Sequence, residues 1–337
     1  MPRIWGARSL APLYPKKTNL LEPIGEVWLT GIDCKIATGP FSGRTLGEAW
    51  REMPPEWRGT RFAEPGDFPI LIKFIFPNDK LSIQVHPDDA YAATHERAAG
   101  VRGKTEMWHV ICAEPGARVL VGLRPGTTKE KFLAALEAKT LEDLFVSWPV
   151  NAGDTLFLAA RTPHTIGPGM VICEVQEYSD LTYRVYDYGR VDAQGKPREL
   201  HIRKALEVMN FGDSGSPLLK TQSLLSHDAL KLLLAACRYF ATERWEFEWD
   251  VPSQSNPTQF EILVFPSGSG TLKSQGGDQD YQHGECWFVP ASLGMFELKP
   301  KKNTTVLRTY IPDLAALRQG LSQEGVSEKD LASVLFD

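Results

Sequence analysis

The sequence predicts a mainly β protein built as two barrel-like halves with helical insertions, and three observations predict it. Most of the chain consists of short apolar or alternating runs punctuated by Gly and Pro, which is the spacing of a sandwich or barrel rather than of a parallel α/β sheet. A turn-rich stretch, Gly212-Asp213-Ser214-Gly215-Ser216-Pro217, separates two such β-rich halves. The chain is 337 residues long, with 42% apolar and 23% charged residues. That is the length of two ordinary domains and the composition of a soluble globular protein, with enough apolar mass to bury its own cores.

In the first half, strands are expected at 69–76, 81–85, 107–112, 118–123, 155–159 and 170–175. Pro87-Asp88-Asp89 puts a proline and two carboxylates in a helical first turn, continued by 90–97. Phe132, Leu133 and Leu136 give 128–138 a helical spacing, and 198–209 reads as a further helix. After the divider, strands resume at 231–234, 238–242, 260–265, 285–289 and 305–310, and 313–337 reads as a small helical appendage. The expected organisation is therefore a first domain over 1–211, a second over 218–312 and the appendage over 313–337.

The formal net charge of −5 argues against non-specific nucleic-acid binding, which needs a basic face, while a locally basic pocket for an anion stays open. Five scattered cysteines, Cys34, Cys112, Cys173, Cys237 and Cys286, form no Cys-x-x-Cys pair and read as reduced thiols of a cytosolic protein. The N-terminal residues lack an apolar core of signal-peptide length, and the apolar run 232–237 is too short to cross a bilayer. A cytoplasmic protein with no membrane partner is the expectation. The sequence says nothing of its oligomeric state.

The chemistry concentrates in four stretches. In Ser82-Ile83-Gln84-Val85-His86 the three polar residues alternate with apolar ones, so on a strand they share one face. The pattern fits either a polar cavity or a solvent-facing edge. Lys104 and Glu106 share a face at the start of the next strand, with Trp108 beside them. By themselves they are equally a surface ion pair. His109 falls on the opposite face. Next, Gly153-Asp154 opens a strand that leads to Pro163-His164. A lone histidine after a proline turn is usually a polar loop residue; if His164 is a metal ligand, as the resemblance of its motif to one of the cupin barrel implies, Gln84, His86 and Glu106 complete with it an N/O donor set suited to zinc or another divalent ion, with room left for substrate. Finally, 174–190 is dense in hydrogen-bonding groups, among them Glu174, Arg184, Asp187 and Arg190, and reads equally as a charged surface strand.

The Gly-Asp turn, strand and Pro-His sequence resembles the second motif of the cupin barrel. Through Arg3-Ile4-Trp5-Gly6, Gly25-Glu26-Val27-Trp28, 81–89, Gly103-Lys104-Thr105-Glu106-Met107-Trp108, 163–169 and 179–190, the chain resembles the short bacterial form of type I mannose-6-phosphate isomerases. The likeness covers about the first two thirds and implies two cupin jelly-roll barrels. It also implies one zinc ion per chain held by Gln84, His86, Glu106 and His164, with Arg184 catalytic and Lys104 handling substrate. Ser82 takes the place associated with the substrate phosphate, which it would hold with some of Lys104, Arg184 and Arg190. Gly103 stands where longer members carry a histidine, and Met107 where the family motif has cysteine. In the second half no histidine follows Gly284-Glu285, so that barrel is expected to be metal-free and structural.

The resemblance implies interconversion of mannose 6-phosphate and fructose 6-phosphate by proton transfer between C1 and C2. Lys104, its pKa lowered by the positive charge of a zinc ion beside it, is a candidate proton carrier, with Glu174 and Asp187 as alternatives that the sequence does not rank. Two other classes use a similar scaffold: a cupin oxygenase or decarboxylase, and a non-catalytic sugar-binding cupin.

Overall fold

The computed structural model describes residues 1–64, 66–96, 101–192, 194–212 and 215–337. The strands in chain order are β1 (Pro2–Ala7), β2 (Glu26–Trp28), β3 (Ile70–Ile75), β4 (Ile83–Val85), β5 (Glu106–Ala113), β6 (Arg118–Leu123), β7 (Phe145–Pro149), β8 (Thr155–Leu158), β9 (His164–Ile166), β10 (Met170–Glu177), β11 (Tyr183–Tyr186), β12 (Gln222–Leu224), β13 (Leu230–Ala236), β14 (Ala241–Phe247), β15 (Val251–Gln254), β16 (Glu261–Ser274), β17 (Gly277–Gln282), β18 (Cys286–Val289) and β19 (Met295–Tyr310). The α-helices are α1 (Leu46–Glu52), α2 (Pro55–Arg58), α3 (Asp89–His95), α4 (Lys129–Ala138), α5 (Ile202–Val208), α6 (Leu314–Gln323) and α7 (Glu328–Leu331). The protein is mainly β, as the alternating runs require.

Several elements start or stop away from the pattern, each for a local reason. The strand expected over 238–242 begins only at Ala241, because Cys237 N–H bonds to the Phe240 carbonyl at 2.8 Å and closes a hairpin turn. The helix expected from 198 begins at Ile202. Just before it His201 N–H donates to the Arg184 carbonyl at 2.7 Å, so the chain there is occupied beside β11. Helix α3 is capped by the Asp88 side chain on Tyr91 N–H and ends at His95. Arg97, expected within it, and Asp213 and Ser214 of the divider lie outside the described residues.

Two compact units emerge from the chain's own contacts. The first comprises Met1–Leu10, Lys17–Val27 and Leu71–Leu218, and the second Ala11–Lys16, Trp28–Ile70 and Leu219–Asp337. Residues 28–70 thus group with the C-terminal part. Gly59, at φ +95°, shows how closely: a Cβ there would lie 2.4 Å from the backbone nitrogen of Gln259. Trp50, Phe62, Phe68 and Phe260 pack edge-on or tilted around that contact.

In the first unit the strand orders are β2-β3-β10-β5-β8 and β11-β4-β9-β6-β7. Ile75, Trp108, Val110, Leu156 and Ile172 of one sheet share an apolar core with Val119, Val121 and Ile166 of the other. On the far side of the second sheet, Ile83 and Val85 pack with Tyr183, Val185, Phe132 of α4 and Ala205 of α5. Residues 82, 84 and 86 therefore face the other way, toward the first sheet. In the second unit the main strand order is β12-β13-β14-β19-β16-β17, with β15 on β19 and β18 on β16. Leu321, Leu331, Val334 and Leu335 of the C-terminal segment are buried against Leu233, Ala236 and Tyr310.

Candidate metal centre and active site

Three short strands deliver the centre. Gln84 on β4 stands opposite His164 on β9 in register, and His164 also pairs with Val121 of β6. Glu106 opens β5, paired with Gln176 of β10 and Leu158 of β8. His86, Glu106 and His164 are each no more than 2% exposed. Their ligand-type atoms all lie within 4.8 Å of one another. The Gln84 amide reaches the same point, its Nε2 being 3.4 Å from His86 Nε2 and 3.3 Å from His164 Nε2. Rotation of the amide exchanges nitrogen for oxygen at that place.

Both imidazoles are held from behind. His86 Nδ1 lies 2.7 Å from the Leu181 carbonyl and His164 Nδ1 2.9 Å from the Thr162 carbonyl. A carbonyl only accepts, so each Nδ1 carries the proton and each Nε2 lone pair points inward. Burial keeps both rings neutral: His86 is pushed well below its usual value and His164 down to about 4, with the Lys104 ammonium adding to the effect on both. Trp108 lies edge-on to His164, ring centroids 5.4 Å apart.

Burial also pushes the Glu106 carboxyl up to about 7, against the pull of Lys104. Among the described residues neither Glu106 oxygen has a hydrogen-bond partner in good geometry, although Lys104 Nζ is 2.7 Å from Oε2 and His164 Nε2 3.4 Å from Oε1. Two inward imidazole nitrogens, an underpartnered buried carboxylate and a rotatable amide make a donor set that fits a divalent cation. The cation's charge would keep Glu106 ionised.

Lys104, 3% exposed, is 3.3 Å from Glu174 Oε1 as well as 2.7 Å from Glu106. The protein's own groups act on its pKa in the direction opposite to the one a zinc ion beside it would give. Burial would lower it, but the Glu106 and Glu174 carboxylates outweigh burial and raise it, so the side chain stays an ammonium. Burial works against ionisation of Glu174 too, and Lys104 and Lys73, the latter at 3.0 Å, override it and lower the pKa.

Gly103 explains a departure noted in the sequence. A Cβ there would sit 2.6 Å from the backbone of Asp88 and Asp89, so the close approach that leads Lys104 into the centre excludes any side chain at that position. His109 turns the other way, with Nδ1 3.0 Å from the Thr155 hydroxyl.

A second group extends from Gln84. Ser82 Oγ donates to Gln84 Oε1 at 3.2 Å, and Arg184 Nε donates to Ser82 Oγ at 3.3 Å. Arg184 is the register partner of Gln84, and its Nη1 donates to the Glu199 carbonyl at 2.9 Å. Asp187 accepts from Arg190 at 2.6 Å and from Arg198 Nε at 2.8 Å. Burial would raise the Asp187 pKa, and the two guanidiniums hold it low. The contacts of Arg190 run to Asp187, Asp79 and the Lys80 carbonyl. Burial and then the positive charge of Arg198 lower the Arg184 pKa, with Arg3 and Arg190 adding to it. Asp187 pairs with Arg190 and Arg198, and Arg190 also with Asp79, so with Arg184 three guanidiniums stand against two carboxylates and leave this corner net positive.

All ten residues named from sequence thus have a place: six around the metal-type cluster, Ser82 and Arg184 next to them, and Arg190 with Asp187 in the guanidinium corner. Sequence reading missed Arg198, Lys73 and the carbonyls of Leu181 and Thr162. Only the first two carry a residue-type signal.

Comparison with known proteins identifies the family. Residues 3–106 match the family described as phosphomannose isomerase type I, catalytic domain. The chain is 32% identical over 308 residues to mannose-6-phosphate isomerase ManA of Bacillus subtilis, covering 88% of this chain and 92% of that protein. It is 33% identical over 280 residues to mannose-6-phosphate isomerase of Streptococcus mutans, covering 80% and 83% respectively. The crystal structure of the Bacillus subtilis mannose 6-phosphate isomerase superposes with a TM-score of 0.83 at 27% identity, over 92% of this chain and 96% of that one. A zinc-bound mannose 6-phosphate isomerase structure, at 18% identity and a TM-score of 0.68 over 92% and 97%, shares the fold. With relatives this similar over most of its length, the chain belongs to the type I mannose-6-phosphate isomerase family.

Proposed function

We propose that the protein interconverts mannose 6-phosphate and fructose 6-phosphate as a zinc-dependent aldose–ketose isomerase, using one zinc ion per chain. The observation that carries this reading is the meeting, between the two sheets of the first unit, of a metal-type donor set with Lys104, Glu174 and the Ser82–Arg184 pair. Family membership supplies the substrate. Gln84, His86, Glu106 and His164 would hold the zinc, which supplies a Lewis acid for the oxygens at the reacting carbons.

The rest is the work of the side chains. The reaction removes a proton from C2 of the aldose, leaves an enediolate and returns a proton at C1. The ammonium state of Lys104 suits stabilisation of the enediolate and donation of a proton to oxygen. Glu174, ionised and next to Lys104, is the better-placed carboxylate to take the carbon proton. Asp187 is committed to Arg190 and Arg198, where it aligns guanidiniums. Arg184 lies between the two groups and adds a fixed positive charge near the enediolate. Ser82, Arg190 and Arg198 make the end that receives the phosphate, whose planar bidentate partners are arginines.

Each unit is read as a cupin jelly-roll barrel. The second is structural, its Arg308 held between Glu243 at 3.2 Å and Glu261. A sugar phosphate substrate points to a cytoplasmic enzyme with no nucleic-acid or membrane partner. Among the described residues no helix is long and apolar enough to cross a membrane. The test against a cupin oxygenase is turnover of mannose 6-phosphate by zinc-loaded protein in an oxygen electrode. Fructose 6-phosphate forming with no oxygen uptake is expected, whereas oxygen uptake without isomerisation would move the chain to the oxygenase class.

A further inference from the structure

We infer that Ser179 is a positioning residue of the metal centre, acting through the Leu181 carbonyl on His86 and through the lead-in to Lys104 and Glu106. The inference rests on the metal-centre reading above and adds to it the residue that holds the centre's irregular wall in place.

Between β10 and β11 the chain crosses residues 178–182 without regular structure, and such a segment keeps its carbonyls in place only if something fixes it. The Leu181 carbonyl is the group that fixes the His86 tautomer and ring. Ser179 is the knot of this segment. Its Oγ accepts from Leu181 N–H at 3.3 Å and donates to the Arg102 carbonyl at 2.9 Å. One hydroxyl thereby joins the carbonyl behind His86 to the backbone two residues before Lys104. Its own carbonyl is held by the Gln176 amide, which also donates to the Glu177 carbonyl at 3.2 Å. The other wall is tied in parallel: Thr105 N–H donates to Glu177 Oε1 at 2.7 Å, and Glu177 N–H to the Thr105 carbonyl at 3.3 Å. Ser179 is 7% exposed and Gln176 fully buried, so water is a poor substitute for either bond. Without the hydroxyl, Leu181 and Arg102 lose their shared link, and the His86 ring is no longer fixed on both sides.

The test is zinc affinity of the metal-stripped protein, measured by competition with a chromophoric chelator, together with the visible spectrum of the cobalt(II)-loaded protein. Ser179→Ala is expected to weaken zinc binding by about 10–100-fold, the range for loss of a group that orients a metal ligand, and to shift the cobalt spectrum. Two part-buried bonds go with the hydroxyl, so the metal-stripped variant should also unfold at a somewhat lower temperature; the cobalt spectrum, read well below that transition, is the outcome that a merely structural serine would not move. Should the alanine variant not fold, Ser179→Cys, of similar volume but a weak hydrogen bonder, makes the same comparison. Wild-type zinc affinity in the variant, or a cobalt spectrum unchanged from wild type, would overturn the positioning role while leaving the metal centre intact. A wild type that binds no zinc would overturn the metal centre and this role together.

Discussion

Arg184→Ala is expected to lower kcat for mannose 6-phosphate by about 10²–10³-fold, the range for removing a preorganised donor at developing negative charge. The guanidinium is half-buried and tied to Ser82 Oγ at 3.3 Å and the Glu199 carbonyl at 2.9 Å. It is therefore held in place before substrate arrives, and no reorganisation is needed as charge develops. Burial and the neighbouring arginines disfavour its charged form slightly, yet a guanidinium remains protonated in proteins. An incoming anion relieves that repulsion. Arg184→Lys should recover only part of the loss, because a point-like ammonium cannot keep both the Ser82 and Glu199 bonds. Steady-state kinetics decide the matter. A fall in kcat with zinc affinity unchanged is the expected result, and wild-type kcat in the alanine variant would remove Arg184 from the reaction.

Glu106→Gln should have the second large effect, on metal and activity together. The substitution keeps the volume and removes the charge that a cation needs in a site whose other donors, His86, His164 and Gln84, are neutral. Zinc affinity is expected to fall by more than about 100-fold, beyond the range for an outer-sphere partner, with turnover lost at sub-stoichiometric metal. Lys104 keeps Glu174 at 3.3 Å as a counter-charge, so the variant should fold, and circular dichroism of the metal-stripped form checks that. Zinc bound as tightly as by wild type would show that Glu106 is no ligand.

Much of this centre is legible in the chain because a strand has period two. Ser82, Gln84 and His86 alternate with Ile83 and Val85, and both apolar residues are fully buried in the opposite core. What alternation cannot say is whether the polar face meets water or another sheet. The open alternatives of an edge strand and a surface ion pair therefore persist until β5 and β9 are placed. The charge state of Lys104 is illegible for the same reason, since Glu174 arrives from β10, seventy residues downstream in sequence. The lowering expected of a zinc ion beside Lys104 is opposed by both carboxylates. Arg198 was read as the start of a helix. It serves instead as a partner of Asp187 in a stretch that precedes α5. The Leu181 and Thr162 contributions are carbonyls, which every residue has, so no residue type announces them. The grouping of residues 28–70 with the C-terminal unit depends on approaches such as Gly59 to Gln259, which no local pattern encodes.

We propose that one buried metal-dependent centre in the first unit performs the isomerisation. Its most direct test is a coupled assay of mannose 6-phosphate conversion on the protein as isolated, after stripping with a chelator, and after return of one equivalent of zinc per chain. Activity lost on stripping and restored at one equivalent is the predicted result. Full turnover by the stripped protein, or none by folded, zinc-loaded protein, would contradict it.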